Sequence, residues 1–223
     1  TVTLTVTDDE DATDTDTHSV SITSGGTGNE IYCDTVAEIH SAMQNADPGD
    51  IIVIASGTYT GEQGDSGYSD AFFYSGSSGT SSQPITIRSE DSGNPAVLQG
   101  DTVDDSYCLY ITGDYWIVED LEIKTAKKGI VLDNSDYTII DNVEVYNIGE
   151  EAVHFRDGSS DCIIRNSNIH DTGKKTIKYG EGVYVGSDVG KWDTYVKECD
   201  NILVQNNIIG PNVTAEHIDY KEG

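Results

Sequence analysis

Basic residues are nearly missing from the first half of this chain. Residues 1–123 contain 23 acidic side chains and a single basic one, Arg88. Over the whole sequence 12 Lys and Arg stand against 40 Asp and Glu, a formal charge of −28. Phosphate backbones are held by Lys and Arg, so this composition argues against nucleic acid as a partner. It suits a protein that stays soluble in salt or binds cations. No apolar run approaches the roughly 20 residues of a membrane span, so no membrane partner is expected. The chain opens mid-strand without an initiator Met and stops inside a repeat, which leads us to expect a piece of a longer secreted protein. Cysteine is sparse: Cys33, Cys108, Cys162 and Cys199 match no zinc spacing. They fit one or two disulfides, with Cys162 and Cys199 placed to staple the base of an insertion; buried free thiols are the alternative.

What is present is repetition. WIVEDLEI (116–123), TIIDNVEV (138–145), CIIRNSNI (162–169) and ILVQNNII (202–209) share one pattern, β-branched residues around a polar pair. Their starts are separated by 22, 24 and 40 residues, the last gap holding the insertion. A second series runs between them: GIVLDN (129–134), EAVHFRDG (151–158), EGVYVGSD (181–188) and EHIDYKEG (216–223). Units of this period bury their apolar faces only by stacking on the next. Two short strands per turn, a third expected, and no long helical period between them describe an all-β parallel β-helix. Asn142, Asn166 and Asn206 recur at equivalent places and read as a ladder at a corner of that helix.

Residues 1–23 alternate Val, Leu and Ile with Thr around an acidic interruption and finish in SVSIT. This resembles the last two strands of a polycystic-kidney-disease (PKD) domain. Residues 24–30, SGGTGNE, read as a linker, and 31–223 as the β-helix. Asp34 or Thr35 can cap a helix whose apolar side is Val36, Ile39, Ala42 and Met43, covering the open end of the coil. Residues 61–83, Gly/Ser-rich around Phe72, Phe73 and Tyr74, read as a loop, with PITIRS (84–89) and AVLQG (96–100) as the first rung. A capping helix, then PGDIIVIASGTY (48–59), then PITIRS resembles the right-handed parallel β-helix polysaccharide lyases. The chondroitinase B/alginate lyase family stands nearest, with the pectate-lyase-like proteins beside it.

Aligning the second series stacks Ile130, Val153, Val183 and Ile218 inward, and likewise Leu132, Phe155, Val185 and Tyr220. Val131, His154, Tyr184 and Asp219 then face out. Lys128, Glu151, Glu181 and Glu216 stand at the strand starts, and Asp133, Arg156, Gly186 and Lys221 at the ends. Carboxylates about 5 Å apart raise one another's pKa unless a cation sits among them. Glu151, Glu181 and Glu216 are therefore the expected hard-cation ligands, with Ca²⁺ the expected ion; neutralisation of the ladder by Lys128, Arg156 or Lys221 is the alternative. The resemblance implies β-elimination on a uronate polymer, with Lys221 as base, Arg156 as assisting cation, and Glu216 and Asp219 as Ca²⁺ ligands. Arg156 stands about two rungs, roughly 10 Å, from Lys221. Tyr184 is the candidate donor to the leaving oxygen, and His154 the histidine best placed to take part. The insertion (174–198) carries Lys178, Tyr179, Lys191 and Trp192, basic and aromatic groups suited to an anionic sugar. A secreted, monomeric lyase acting on an acidic polysaccharide is the leading expectation. The other readings are a non-catalytic carbohydrate-binding or adhesive module, and an epimerase or glycoside hydrolase using a carboxylate pair.

Overall fold

The computed structural model describes residues 28–221 and, before them, one antiparallel pairing of β1 (Val2–Thr7) with β2 (Thr13–His18). The expected strand over 19–23 and most of the linker lie outside the described residues. β3 (Glu30–Cys33) leads into α1 (Val36–Gln44). Thr35 is the N-cap: its hydroxyl accepts from the Glu38 amide at 3.3 Å, and the Glu38 carboxylate accepts from the Thr35 amide at 3.1 Å. This reciprocal pair satisfies two amides that a helix start leaves orphaned. Ile39, Ala42 and Met43 are buried, as the spacing predicts, so the helix closes the end of the core.

Six rungs follow. The first is β4 (Ile51–Ile54), β5 (Thr58–Thr60) and β6 (Ala71–Ser75); the second is β7 (Ile85–Ser89), β8 (Ala96–Gln99) and β9 (Tyr107–Ile111). The third comprises β10 (Trp116–Glu119), β11 (Leu121–Ala126) and β12 (Lys128–Asp133), and the fourth β13 (Ile139–Asp141), β14 (Glu144–Ile148) and β15 (Val153–Arg156). The fifth is β16 (Ile163–Arg165), β17 (Asn168–His170) and β18 (Val183–Val185), and the sixth β19 (Leu203–Gln205), β20 (Ile208–Ile209) and β21 (Ile218–Tyr220). First, second and third strands form three separate sheets, each paired in parallel from rung to rung. The expected β-helix is therefore present, with one correction. AFFYS (71–75) is not loop but the third strand of the first rung, with Phe72 and Phe73 fully buried. PITIRS consequently opens the second rung. Its Gly/Ser flanks hid the strand, because five residues are too few to show a period through them.

Each sheet contributes inward columns to one continuous core. Ile52, Ile87, Val118, Ile140 and Ile164 stack in the first sheet, and Leu98, Ile123, Val145 and Ile169 in the second. Phe73, Leu109, Ile130, Val153 and Val183 stack in the third. All are buried, each worth about 1.5–3 kcal/mol for removal from water. The corners are made by residues in the left-handed region. Asp120, Asn142, Asn166 and Asn206 occupy one corner with φ of 51–57°. Asn142 Nδ2 donates to Asp120 Oδ1 at 2.6 Å, and Asn166 Nδ2 to Asp141 Oδ1 at 2.8 Å. The Asn ladder is thus real, and it splits each apolar stretch of the first series into two strands. Thr125, Asn147, Asp171 and Asn212 form a second such column, and Tyr115, Tyr137, Asp161 and Asn201 a third. Asn and Asp tolerate this conformation because their short polar side chains bond locally.

All four cysteines are free and buried. The expected Cys162–Cys199 staple is not formed. Cys162 Sγ lies 3.2 Å from the Ser135 carbonyl, Cys199 Sγ 3.5 Å from the Phe155 carbonyl. Burial pushes the Cys108 and Cys162 thiols up to about 12 and those of Cys33 and Cys199 up to about 11. They act as small apolar fillers. Two outcomes are expected. Asn142→Ala lowers unfolding free energy by about 1–2 kcal/mol in urea titration, the cost of a left-handed residue whose side chain can no longer bond locally, whereas Asn142→Gly loses less. Protein prepared without reductant shows four reactive thiols when denatured and almost none when native; a denatured count of two would restore a bridge.

Candidate active site

The third sheet turns its outward side to a groove of about 620 Å³. Its register is the one the apolar columns predict: His154 is paired with Tyr184, and Tyr184 with Asp219. Lys221, Arg156, Tyr184, His154, Glu151, Glu181, Glu216, Lys178, Tyr179 and Lys191 all line it. The insertion contributes a wall because β18 divides it, leaving short helical turns at Ile177–Tyr179 and Val189–Lys191. Six of the twelve basic residues of the chain border this one groove: Lys127, Lys128, Arg156, Lys178, Lys191 and Lys221. Five buried side-chain polar atoms among the described residues have no hydrogen-bond partner. Four of them belong to groove residues: Glu151 Oε2, His154 Nδ1, Glu181 Oε2 and Ser187 Oγ. Buried polar atoms are rarely left unpaired, so their concentration here marks a place built for a polar ligand.

At the C-terminal end of the groove, Glu181, Glu216 and Asp219 each offer an oxygen, all within 4.8 Å of one another. Burial first, and then the charges of Glu151, Asp219 and Glu216, push the Glu181 carboxyl up to about 7. Lys221 Nζ lies 2.6 Å from Asp219 Oδ2, and that contact raises the pKa of the amine. The same Nζ stands 5.5 Å from the centre of the Tyr184 ring. Tyr184 is buried except toward the groove, and its hydroxyl has no hydrogen-bond partner among the described residues. Burial, then the Asp219 charge, raises its pKa, so the phenol keeps its proton.

Glu151 stands apart from the expected carboxylate ladder. Lys128 Nζ reaches its Oε1 at 2.7 Å, which neutralises it and leaves the three-carboxylate cluster to Glu181, Glu216 and Asp219. His154 is buried beneath Tyr184, the two rings edge-on at 4.3 Å. Its Nε2 lies 2.9 Å from the Gly186 carbonyl, which can only accept, so Nε2 carries the proton. Burial, followed by the charges of Lys128 and Arg156, keeps the ring neutral. It supports Tyr184 and is not poised to titrate. Trp192 does not line the groove: its indole nitrogen donates to the Ser187 carbonyl at 3.0 Å and Lys197 lies 5.3 Å over its ring. Tyr179, by contrast, does border the groove, with Lys178 4.4 Å above it.

Arg156 is held by a residue that sequence reasoning placed beside it without assigning a role. Its Nε and Nη2 donate to Asp133 Oδ1 and Oδ2 at 2.7 and 2.6 Å. Burial works against the guanidinium charge, but the Asp133 carboxylate outweighs it. Tyr107 and Tyr195 flank the guanidinium, their ring centres 5.5 and 4.3 Å away. The adjacency of Asp133 and Arg156 in one column was the available signal. Nothing in the sequence pointed to Tyr195, which reaches Arg156 from an aperiodic loop.

A search of curated proteins finds no match to the chain. Among solved structures it is similar to an alginate lyase from Paenibacillus sp. str. FPU-7, at 51% identity and TM-score 0.81. That match covers 87% of this chain and 62% of the other, so the chain spans less than two thirds of that enzyme. The pectate lyase Pel9A matches at 20% identity and TM-score 0.56, over 74% of this chain and 45% of its own. A mannuronic acid-specific family 6 polysaccharide lyase from human gut microbiota matches at 19% and 0.53, over 72% and 38%. These two share the fold. The family described as "Pel9A-like, right handed beta helix region" matches residues 19–202, most of the sequence. The chain belongs to the Pel9A-like right-handed β-helix family.

Proposed function

We propose that this chain is the β-helix of an extracellular polysaccharide lyase that cleaves a uronate polymer by β-elimination, with alginate as its substrate. The observation that carries this reading is the placement of Lys221 and Tyr184 side by side over one groove, against a three-carboxylate cluster. The 51% identity to an alginate lyase supports both the reaction class and the sugar. The β1–β2 hairpin is read as the end of a separate PKD-like domain, and the whole as a monomer. No helix among the described residues is long and apolar enough to cross a membrane.

Elimination removes the proton from C5 of the uronate, forms the C4–C5 double bond, and expels the glycosidic oxygen from C4. The Lys221 amine takes the C5 proton. The Tyr184 phenol, holding its proton through burial, donates it to the departing oxygen. The tyrosinate is then neutralised by the proton Lys221 has gained, 5.5 Å from the ring. His154 fixes the tyrosine ring from below.

Ca²⁺ fits the cluster. The donors are carboxylate oxygens only, and the buried Glu181 Oε2 has no hydrogen-bond partner among the described residues. Glu181, Glu216 and Asp219 would hold it. The ion would supply charge to stabilise the developing enolate and, by taking up Asp219, release the Lys221 amine from the carboxylate that keeps it protonated.

Turnover is read as the ultraviolet absorbance of the unsaturated uronate product. Lys221→Ala and Tyr184→Phe are each expected to lower kcat by about 10²–10⁴-fold, the usual worth of a general base or acid. A Tyr184→Phe enzyme at full rate would remove the tyrosine from the chemistry. Chelation by EDTA should abolish the signal and added Ca²⁺ restore it. If the chelated enzyme runs at the full rate, the Lys221–Asp219 pair itself provides the charge and the Ca²⁺ assignment fails.

A further inference from the structure

We propose that Arg156 forms a subsite that reads the carboxylate of a uronate about two units along from the one cleaved, with Asp133 and Tyr195 as its positioning residues. This rests on the lyase reading above. The strand register separates Arg156 from Lys221. Arg156 closes β15, the corresponding position after β18 is Gly186, and Lys221 follows β21. Two rung spacings amount to about 10 Å, too far for both cations to serve one sugar ring but close to the length of two linked sugars, so Arg156 meets a unit further along a polymer lying on the sheet.

The guanidinium is fixed more tightly than a mobile surface arginine. Asp133, itself buried, accepts from Nε and Nη2, and the Tyr110 hydroxyl donates to the same carboxylate at 2.8 Å. Nη2 also reaches Tyr107 Oη at 3.4 Å. Tyr195 lies against the guanidinium at 4.3 Å. Nη1 alone has no partner among the described residues; the side chain is 8% exposed, and it lines the groove. An arginine serving only to pair with Asp133 would have no need of a groove position and an open edge. A rigid guanidinium with one edge free is the donor geometry that suits a carboxylate. The subsite therefore favours chains long enough to place a second carboxylate about 10 Å from the scissile unit.

Steady-state kinetics on alginate and on a dimannuronate, too short to span the two cations, test this with Arg156→Lys, Asp133→Asn, Tyr195→Ala and Tyr195→Phe. The expected result is a 10- to 100-fold rise in KM on alginate for Arg156→Lys, the worth of about one charge-assisted hydrogen bond. Its kcat stays near that of the unaltered protein, and the preference for alginate shrinks. Asp133→Asn and Tyr195→Ala should shift KM in the same direction, with Tyr195→Phe restoring it. A fall in kcat at unchanged KM would place Arg156 at the scissile sugar and overturn the proposal. Loss of thermal stability with both constants unchanged would make the cluster merely structural and overturn it equally. Calorimetric binding of a tetramannuronate oligosaccharide reads the subsite without turnover. If the unaltered protein proves inactive, weaker binding by Arg156→Lys supports the subsite alone, and equal binding rejects it.

Discussion

Parallel pairing at one fixed register is the constraint on which the rest of this molecule depends. Neighbouring rungs lie about 4.8 Å apart, so any side chain on an outward column meets its counterparts above and below at that spacing. The corners keep the register by placing one left-handed residue per rung at the same point, as Asp120, Asn142, Asn166 and Asn206 do. A slip of one residue would turn His154, Tyr184 and Asp219 into the core and bring Phe155 and Val185 out. Core and groove are thus two sides of one alternation, and neither can change register alone.

That alternation explains what could be read from the residues. The stacking of Ile130, Val153, Val183 and Ile218 follows from aligning apolar residues, and the observed pairing is the same. Fixing those columns fixed their outward neighbours, which is why seven of the singled-out residues line one groove; Lys178, Tyr179 and Lys191 reach it from the insertion. Lys128 and Lys221 stand out in the sequence as candidate partners of the carboxylate ladder, but which carboxylate each takes is not legible. Lys128 reaches Glu151 and Lys221 reaches Asp219 because long flexible side chains choose among several carboxylates at similar distance. Trp192 was misjudged for a related reason: it stands on a loop without period, and its ring is engaged by Lys197. AFFYS escaped notice because its partner, β9, is adjacent in space but more than thirty residues on.

The cysteines follow the same logic. A bridge between Cys162 and Cys199 suits an insertion held only at its base. With β18 paired on both sides inside it, the segment is already anchored through the sheet. What remains for the thiols is volume: Cys108, Cys162 and Cys199 sit among core side chains with nothing to staple.

A protein of charge −28 and a polyuronate repel each other at long range. At physiological ionic strength, however, exposed charges are felt over only about 8 Å, less than two rung spacings. A polymer at the groove therefore responds to the side chains within one or two rungs and not to the distant acidic surface. Half of the protein's cations are concentrated there, and two of the acidic residues beside them are committed, Glu151 to Lys128 and Asp133 to Arg156, apart from the cluster of Glu181, Glu216 and Asp219. Pairing leaves each cation with less attraction to spare, but it also fixes where that attraction is offered. The open edge of Arg156 survives because Asp133 occupies the other edge, and Lys221 points toward Tyr184 while Asp219 holds it. Acidity around the groove is thus part of how the few basic groups are aimed.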